Sequence, residues 1–374
     1  MLEELMDAPA RRNKTVYPFI DCDIHNYIAS DAVLMQYLDP KWHNHHRTFG
    51  HRSHPVLAFH GSQYPRIAGV GKRLDAAPPS GLPTGADFEF FRLQHLDSQP
   101  LEYGILNCLS RASDQLHEEY DGALCRAMND WQLEEWLKPD DRMRGSIIVP
   151  YENADLAAEE IDRMAADPRH VQVLLKPRTK EPLGRRRYWK IYEAAERHGL
   201  PIGLHFGGYS INPPTSGGWP SFYIEDHTSM TQAFQSHVIS LICEGVFDRF
   251  PSLRFIMIEG GFAWLPSLMW RMDKHWKRLA AEVPHVIRRP SEIIREHLRF
   301  TTQPMEEPPK HEYLMQFFEH CGSDDLLMFA TDYPHWDYDS PERVLAGIPD
   351  QLKRKIFIEN ARSIYNLAPR VSDR

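Results

Sequence analysis

The chain has 374 residues, 42% of them hydrophobic and 25% charged, and a formal net charge of −9. That balance can bury a substantial core and excludes a disordered, collagen-like or coiled-coil protein. The acidic excess argues against a nucleic-acid-binding face, and no stretch approaches the ~20 consecutive apolar residues that span a bilayer.

In chain order, the opening MLEELMDAPARRNK is charged and has no apolar segment of the secretory kind. The five cysteines, Cys22, Cys108, Cys125, Cys243 and Cys321, are far apart and form no CxxC pair. A reduced, cytoplasmic protein is the expectation. Residues 1–14 and 368–374 read as terminal arms on a single domain over 15–367. Short apolar runs of strand length then recur: Tyr17–Asp23, Tyr103–Leu109, Gly145–Pro150, Val171–Lys176, Pro201–Phe206, Leu253–Glu259, Leu298–Thr302 and Leu326–Asp332. Near-continuous apolar runs suit parallel strands buried on both faces. Helices are predicted between them over Asn153–Ala166, Arg187–His198, Thr228–Val246, Leu314–His320 and Pro341–Ala346. Strict alternation of this kind predicts a (β/α)8 TIM barrel. A doubly wound open sheet would want a glycine-rich turn after the first strand, and DIHNYIAS offers none.

Residues 40–90 break the pattern. They hold His43, His45, His46, His51, His54 and His60 with many prolines and glycines. After a first barrel strand, this reads as a long insertion that caps the C-terminal face or joins a subunit interface.

Barrel enzymes keep their reactive groups at the C-terminal ends of strands. The first strand ends in Asp23-Ile24-His25, the fifth in His205, and the eighth in Asp332 with His335 close behind. Residues two apart on a strand share a face, so Asp23 and His25 can both turn inward. Two imidazoles and two carboxylates at strand tips suit one divalent ion. Glu259 ends the sixth strand. His227 precedes a helix and can line the mouth, whereas His237 lies mid-helix and reads as packing. Arg178 can pair with a carboxylate, with a surface ion pair as its plain alternative. Trp264, Leu265, Leu268, Met269 and Met272 recur at helical spacing and read as core.

IDCDIH, LPIGLHFGG, GVFDRFPSLRFIMIEGGFAWLP and FATDYPHWD together resemble the amidohydrolase superfamily. The branch resembled is the one that includes aminocarboxymuconate-semialdehyde decarboxylase and related aromatic-acid decarboxylases. The likeness runs from Phe19 to about Leu367. It implies a (β/α)8 barrel and a mononuclear metal held by Asp23, His25, His205 and Asp332. Lys176 stands at the end of the fourth strand, where a bridging lysine would serve a second ion, but this branch is mononuclear. The resemblance also exposes a departure. Those decarboxylases carry a histidine at the end of the sixth strand, where this chain has Glu259. Either Glu259 takes over proton donation or substrate contact, or it is an acid satisfied by a neighbouring histidine or by an arginine such as Arg271.

A metal-bound water at neutral pH carries hydrolysis, and the same ligand set carries decarboxylation. Because Glu259 displaces the histidine, the expectation is a metal-dependent hydrolase acting on a small cyclic or aromatic carboxylate-bearing compound. Asp332, Glu259 and His335 are its catalytic candidates, and non-oxidative decarboxylation is the alternative. One divalent ion is expected, zinc ahead of manganese. The expected partners are a small-molecule substrate and further copies of the chain in a homodimer or larger homo-oligomer, with neither nucleic acid nor membrane.

Overall fold

The structure is a computed structural model and describes residues 17–50, 71–109, 112–207, 213 and 215–370. His51, His54 and His60, the arm over 1–14 and the end of the chain from 371 lie outside the described residues.

Eight strands form one sheet: β1 (Phe19–Ile24), β2 (Leu101–Leu106), β3 (Met143–Ile148), β4 (His170–Leu175), β5 (Ile202–His205), β6 (Phe255–Ile258), β7 (Leu298–Thr301) and β8 (Leu327–Met328). Each pairs in parallel with the next. The ends of the sheet meet through the Cys22 amide donating to Phe329 O at 3.0 Å and the His25 amide donating to Tyr333 O at 2.7 Å. The result is the expected (β/α)8 barrel, with helices in the intervals between strands. All eight strands fall within or overlap the apolar runs read from the sequence. Among the described residues no helix is long and apolar enough to cross a membrane.

Local chemistry sets the helix starts. The Asn153 side chain accepts the Leu156 amide and caps the helix Ala154–Met164. The helix Tyr223–Cys243 begins before the expected Thr228, because the Glu225 carboxylate accepts the amides of Ser221 and Phe222, each at 2.8 Å. That early start places His227 within the helix. The helix expected over Pro341–Ala346 is a run of turns. Arg343 bonds back to Ser340 and Ala346 to Arg343, and Gly347 then turns left-handed at φ 82°. Most of the backbone bonds here span three residues and only Val344 reaches back four, to Ser340, so no continuous α-helical ladder forms.

Inside the barrel a polar thread runs beneath the strand tips. Tyr365 donates to Gln172 at 3.0 Å, Gln172 donates to Asn107 Oδ1 at 2.7 Å, and Asn107 Nδ2 donates to Asp23 at 2.8 Å. Gly203 leaves room for it, since a Cβ there would lie 2.9 Å from Gln172 side-chain atoms. On the outside, the described start of the insertion includes a helix, His43–Phe49. His46 meets the Tyr120 hydroxyl at 2.6 Å, and His43 donates to Leu38 O at 2.9 Å. At its other end the insertion touches the turn after β8: the Arg73 amide donates to Pro334 O at 2.9 Å and the Trp336 amide to Gly71 O at 2.7 Å.

Candidate metal centre and active site

Asp23, His25, His205 and Asp332 come together as the sequence spacing suggests, and their side chains are fully buried. His25 Nδ1 donates to Asn107 O at 2.7 Å. Burial lowers its pKa to about 4, although Asp23 pulls the other way. A neutral imidazole with its proton on Nδ1 carries a lone pair on Nε2. That nitrogen lies 2.8 Å from Asp332 and 3.3 Å from Asp23 and completes no hydrogen bond. His205 Nδ1 donates to Phe206 O at 2.7 Å and its Nε2 faces both oxygens of Asp23, the nearer at 3.0 Å. Burial opposes charge on His205, but Asp23 outweighs it and raises the pKa to about 9.

Asp332 is reached from three further sides. Gln303 Nε2 donates to it at 3.2 Å, His335 Nδ1 donates to it at 2.7 Å, and its amide donates to Asp23 O at 3.0 Å. His335 stacks on His25 with ring centroids 4.4 Å apart, and its Nε2 meets the Tyr27 hydroxyl at 2.8 Å. Burial drives the Asp332 pKa well up, and the neighbouring carboxylates Glu259, Asp337 and Asp23 drive it further. A divalent cation relieves the same crowding. The donor atoms of Asp23, His25 and His205 lie within 4.8 Å of one another, as do those of His25, Asp332 and His335. The orphaned Nε2 lone pair and the buried, mutually repelling carboxylates fit a bound divalent ion.

A second cluster adjoins the first. Glu259 lies 3.7 Å from His205 Nδ1, and its other oxygen lies 3.4 Å from His227 Nε2. Asp337 lies 3.2 Å from the same nitrogen. Glu259 holds a left-handed backbone at φ 57°, and Asp332 does so at φ 62°. Such strain in a non-glycine residue marks places where the side chain must point one particular way. Burial raises the Glu259 pKa, with His227 and His205 pulling it back.

Other expectations resolve differently. The partner of Glu259 is His227, while Arg271 is exposed. Lys176 donates to Asp114 and to Ala112 O at 3.2 Å, so its amine is committed to the loop after β2. Arg178 pairs with Asp226, but the pair is buried and not at the surface. His237 has both nitrogens satisfied, by Leu183 N at 3.2 Å and Pro177 O at 2.7 Å, which makes it structural. Leu265, Leu268, Met269 and Met272 are core. Asn107, Gln303 and Tyr27 went unread in the sequence. Each reaches the site from a loop beyond a strand end, and a lone polar residue in a loop carries no periodic signal.

The family model described as amidohydrolase matches residues 20–367. The chain belongs to this family. Among curated amidohydrolase-family relatives, a gamma-resorcylate decarboxylase of a Rhizobium species is 26% identical over 301 residues, covering 75% of this chain and 88% of the relative. Solved structures share the fold. The 5-carboxyvanillate decarboxylase of Sphingomonas paucimobilis superposes with a TM-score of 0.67 at 20% identity, covering 94% of this chain and 99% of that one. A dihydroxybenzoic acid decarboxylase of a Polaromonas species, with bound manganese and the inhibitor 2-nitroresorcinol, superposes with a TM-score of 0.64 at 21% identity, covering 93% and 97%. These relatives correct the expectation of hydrolysis, because each is named as a decarboxylase of an aromatic acid. The glutamate at the end of β6 was therefore a poor guide to reaction type. A ligand set that serves both reactions cannot be sorted by one substituted position.

Proposed function

We propose that this chain is a metal-dependent, non-oxidative decarboxylase of a hydroxylated aromatic acid. The observation that carries the reading is the buried Asp23–His25–His205 cluster, with Asp332 2.8 Å from His25, in a chain whose curated relatives are gamma-resorcylate decarboxylases. Asp23, His25, His205 and Asp332 are the residues to hold the ion. Manganese, the metal named with the Polaromonas structure, replaces zinc as the expected one. A bound divalent ion supplies positive charge that binds anionic oxygens and draws electron density from a ring.

The chain's own residues do the rest. Asn107 fixes Asp23 through its amide and His25 through its carbonyl. His335, tied between Tyr27 and Asp332, orients the Asp332 carboxylate. Glu259 holds a buried carboxylate 3.4 Å from His227 Nε2 and 3.7 Å from His205 Nδ1, which keeps negative charge beside the metal-holding residues. The segment from Gly71 to Arg73, bonded to the turn that follows Asp332, serves as part of the cover of the pocket.

The test is carbon dioxide release from 2,6-dihydroxybenzoate and from 5-carboxyvanillate by manganese-loaded protein, against the same protein stripped with a chelator. Release that depends on the metal supports the reading. Rates equal to the stripped control with both acids sink it.

A further inference from the structure

The barrel closes where β1 meets β8, and Asp23, His25 and Asp332 all lie along that closure. Asp23 and His25 stand at the end of β1, and Asp332 follows β8. On the β1 side the Cys22 amide donates to Phe329 O at 3.0 Å. A regular parallel ladder would next carry the Thr331 amide to Cys22 O. Here Asn107 Nδ2 donates to Cys22 O at 3.2 Å, and the Thr331 amide donates to the Asp21 carboxylate at 2.9 Å. One residue later the backbone turns left-handed at Asp332, with φ 62°. The ladder therefore breaks where the chain leaves strand geometry to present Asp332. It resumes beyond the break, through the Asp332 amide to Asp23 O and the His25 amide to Tyr333 O.

Asp21 fills the break. It is fully buried. One of its oxygens accepts the Thr331 amide and, at 3.2 Å, the Asp23 amide. The other accepts the Thr331 hydroxyl at 2.6 Å and meets His95 Nε2 at 2.9 Å. A carboxylate only accepts, so the imidazole is the donor. These contacts occupy the about four acceptor sites of a carboxylate and leave no lone pair for an ion. The β1–β2 pairing shifts register between Asp21 and Ile24. Such a shift re-aims side chains, and Asp21 and Asp23 reach different partners although they are two residues apart.

His95 is fixed in its turn. It belongs to a π-helical turn, Arg92–Leu96, and stacks on Tyr333 with ring centroids 4.8 Å apart. Its neighbour Gln94 accepts the Tyr333 hydroxyl at 2.7 Å and donates to Asp75 O at 2.7 Å.

We propose that Asp21 is a positioning residue of the metal centre, which sets the spacing between the metal-holding carboxylates Asp23 and Asp332 by bridging the break in the ladder. The inference rests on the metal-centre reading and holds whichever acid is the substrate. One Asp21 oxygen holds the amide of Asp23 itself and the amide next to Asp332. Without that acceptor the Thr331 amide is buried and unpaired, and the left-handed turn at Asp332 loses its anchor.

The experiment measures the manganese affinity of the full chain by chelator competition, with the melting temperature of the metal-free protein recorded alongside. Asp21→Ala removes every contact of the carboxylate, and we expect affinity to weaken by ~10–100-fold. Asp21→Asn keeps an oxygen for both amides and should bring affinity back to within a few-fold of wild type. A residue that served stability alone would lower the melting temperature of the metal-free protein and leave affinity, measured well below that temperature, unchanged. Thr331→Val is the second variant, in case Asp21→Ala fails to fold. It is close to isosteric, removes the hydroxyl donor to Asp21, and should weaken binding by ~10-fold. Asp21→Ala affinity within about threefold of wild type would overturn the proposal and leave the metal-centre reading standing, since loss of an outer partner costs more than that. Asp21→Asn that binds no tighter than Asp21→Ala, or Thr331→Val that binds as wild type does, would also overturn it. A wild type that binds no manganese overturns both readings.

Discussion

In the inner cluster, Asp23 and His25 are braced from below by Asn107, and the thread continues through Gln172 to Tyr365. In the outer cluster, Glu259 and Asp337 converge on a helix-borne imidazole near solvent. The two sets are built from the same residue types, yet one is rigidly tied and aims a bare lone pair inward. The other leaves an imidazole nitrogen between two carboxylates with no completed hydrogen bond. Donor chemistry alone does not separate a metal ligand from an acid–base group; the second partner of each side chain does.

Breaking the inner cluster should have the largest effect. His205→Ala should lose the ion, measured by elemental analysis, and activity should drop below detection, because catalysis by a bound ion needs its ligands. Breaking the outer cluster should spare the ion. Glu259→Gln keeps the shape and removes the charge, and we expect turnover to fall by ~10²–10⁴-fold with metal content unchanged. An intact turnover would make Glu259 purely structural. Loosening only the brace should be milder. Asn107→Ala removes the amide contact to Asp23, and metal affinity measured by chelator competition should weaken by ~10–100-fold, the usual worth of an outer partner.

The smallest effect concerns pH. The folded pKa of His227, raised to about 10, lies above its ordinary value. The charged cluster therefore contributes its full stability below the ordinary histidine pKa of ~6.5. It loses that contribution as pH rises through the folded value. The melting temperature of wild type should exceed that of His227→Asn by ~2–4 °C at neutral pH, and the gap should close as pH climbs towards 10. A constant gap would show that the ring contributes by packing alone.

Much of this was legible in the sequence. Parallel barrel strands are buried on both faces, so each announces itself as an apolar run, and Asp23, His25, His205 and Asp332 could be read from their places at strand ends. The outer cluster was harder. Its members follow three different strands, and His227 lies on a helix that starts at Tyr223, ahead of the expected Thr228. Asn107 and Gln303 act through contacts 84 and 29 residues away along the chain, respectively. Pro341–Ala346 misled because helical spacing over so few residues does not secure a continuous α-helical ladder.

Asp332 and Glu259 both occupy left-handed backbone, which glycine or asparagine would adopt at lower cost. Each acid keeps a conformation that costs on the order of 1 kcal/mol or more. The pocket is therefore a place where selection for thermal robustness and selection for turnover pull in opposite directions. A library screened only for heat resistance would be drawn to glycine or asparagine at these two positions, and would accumulate well-folded barrels with empty chemistry.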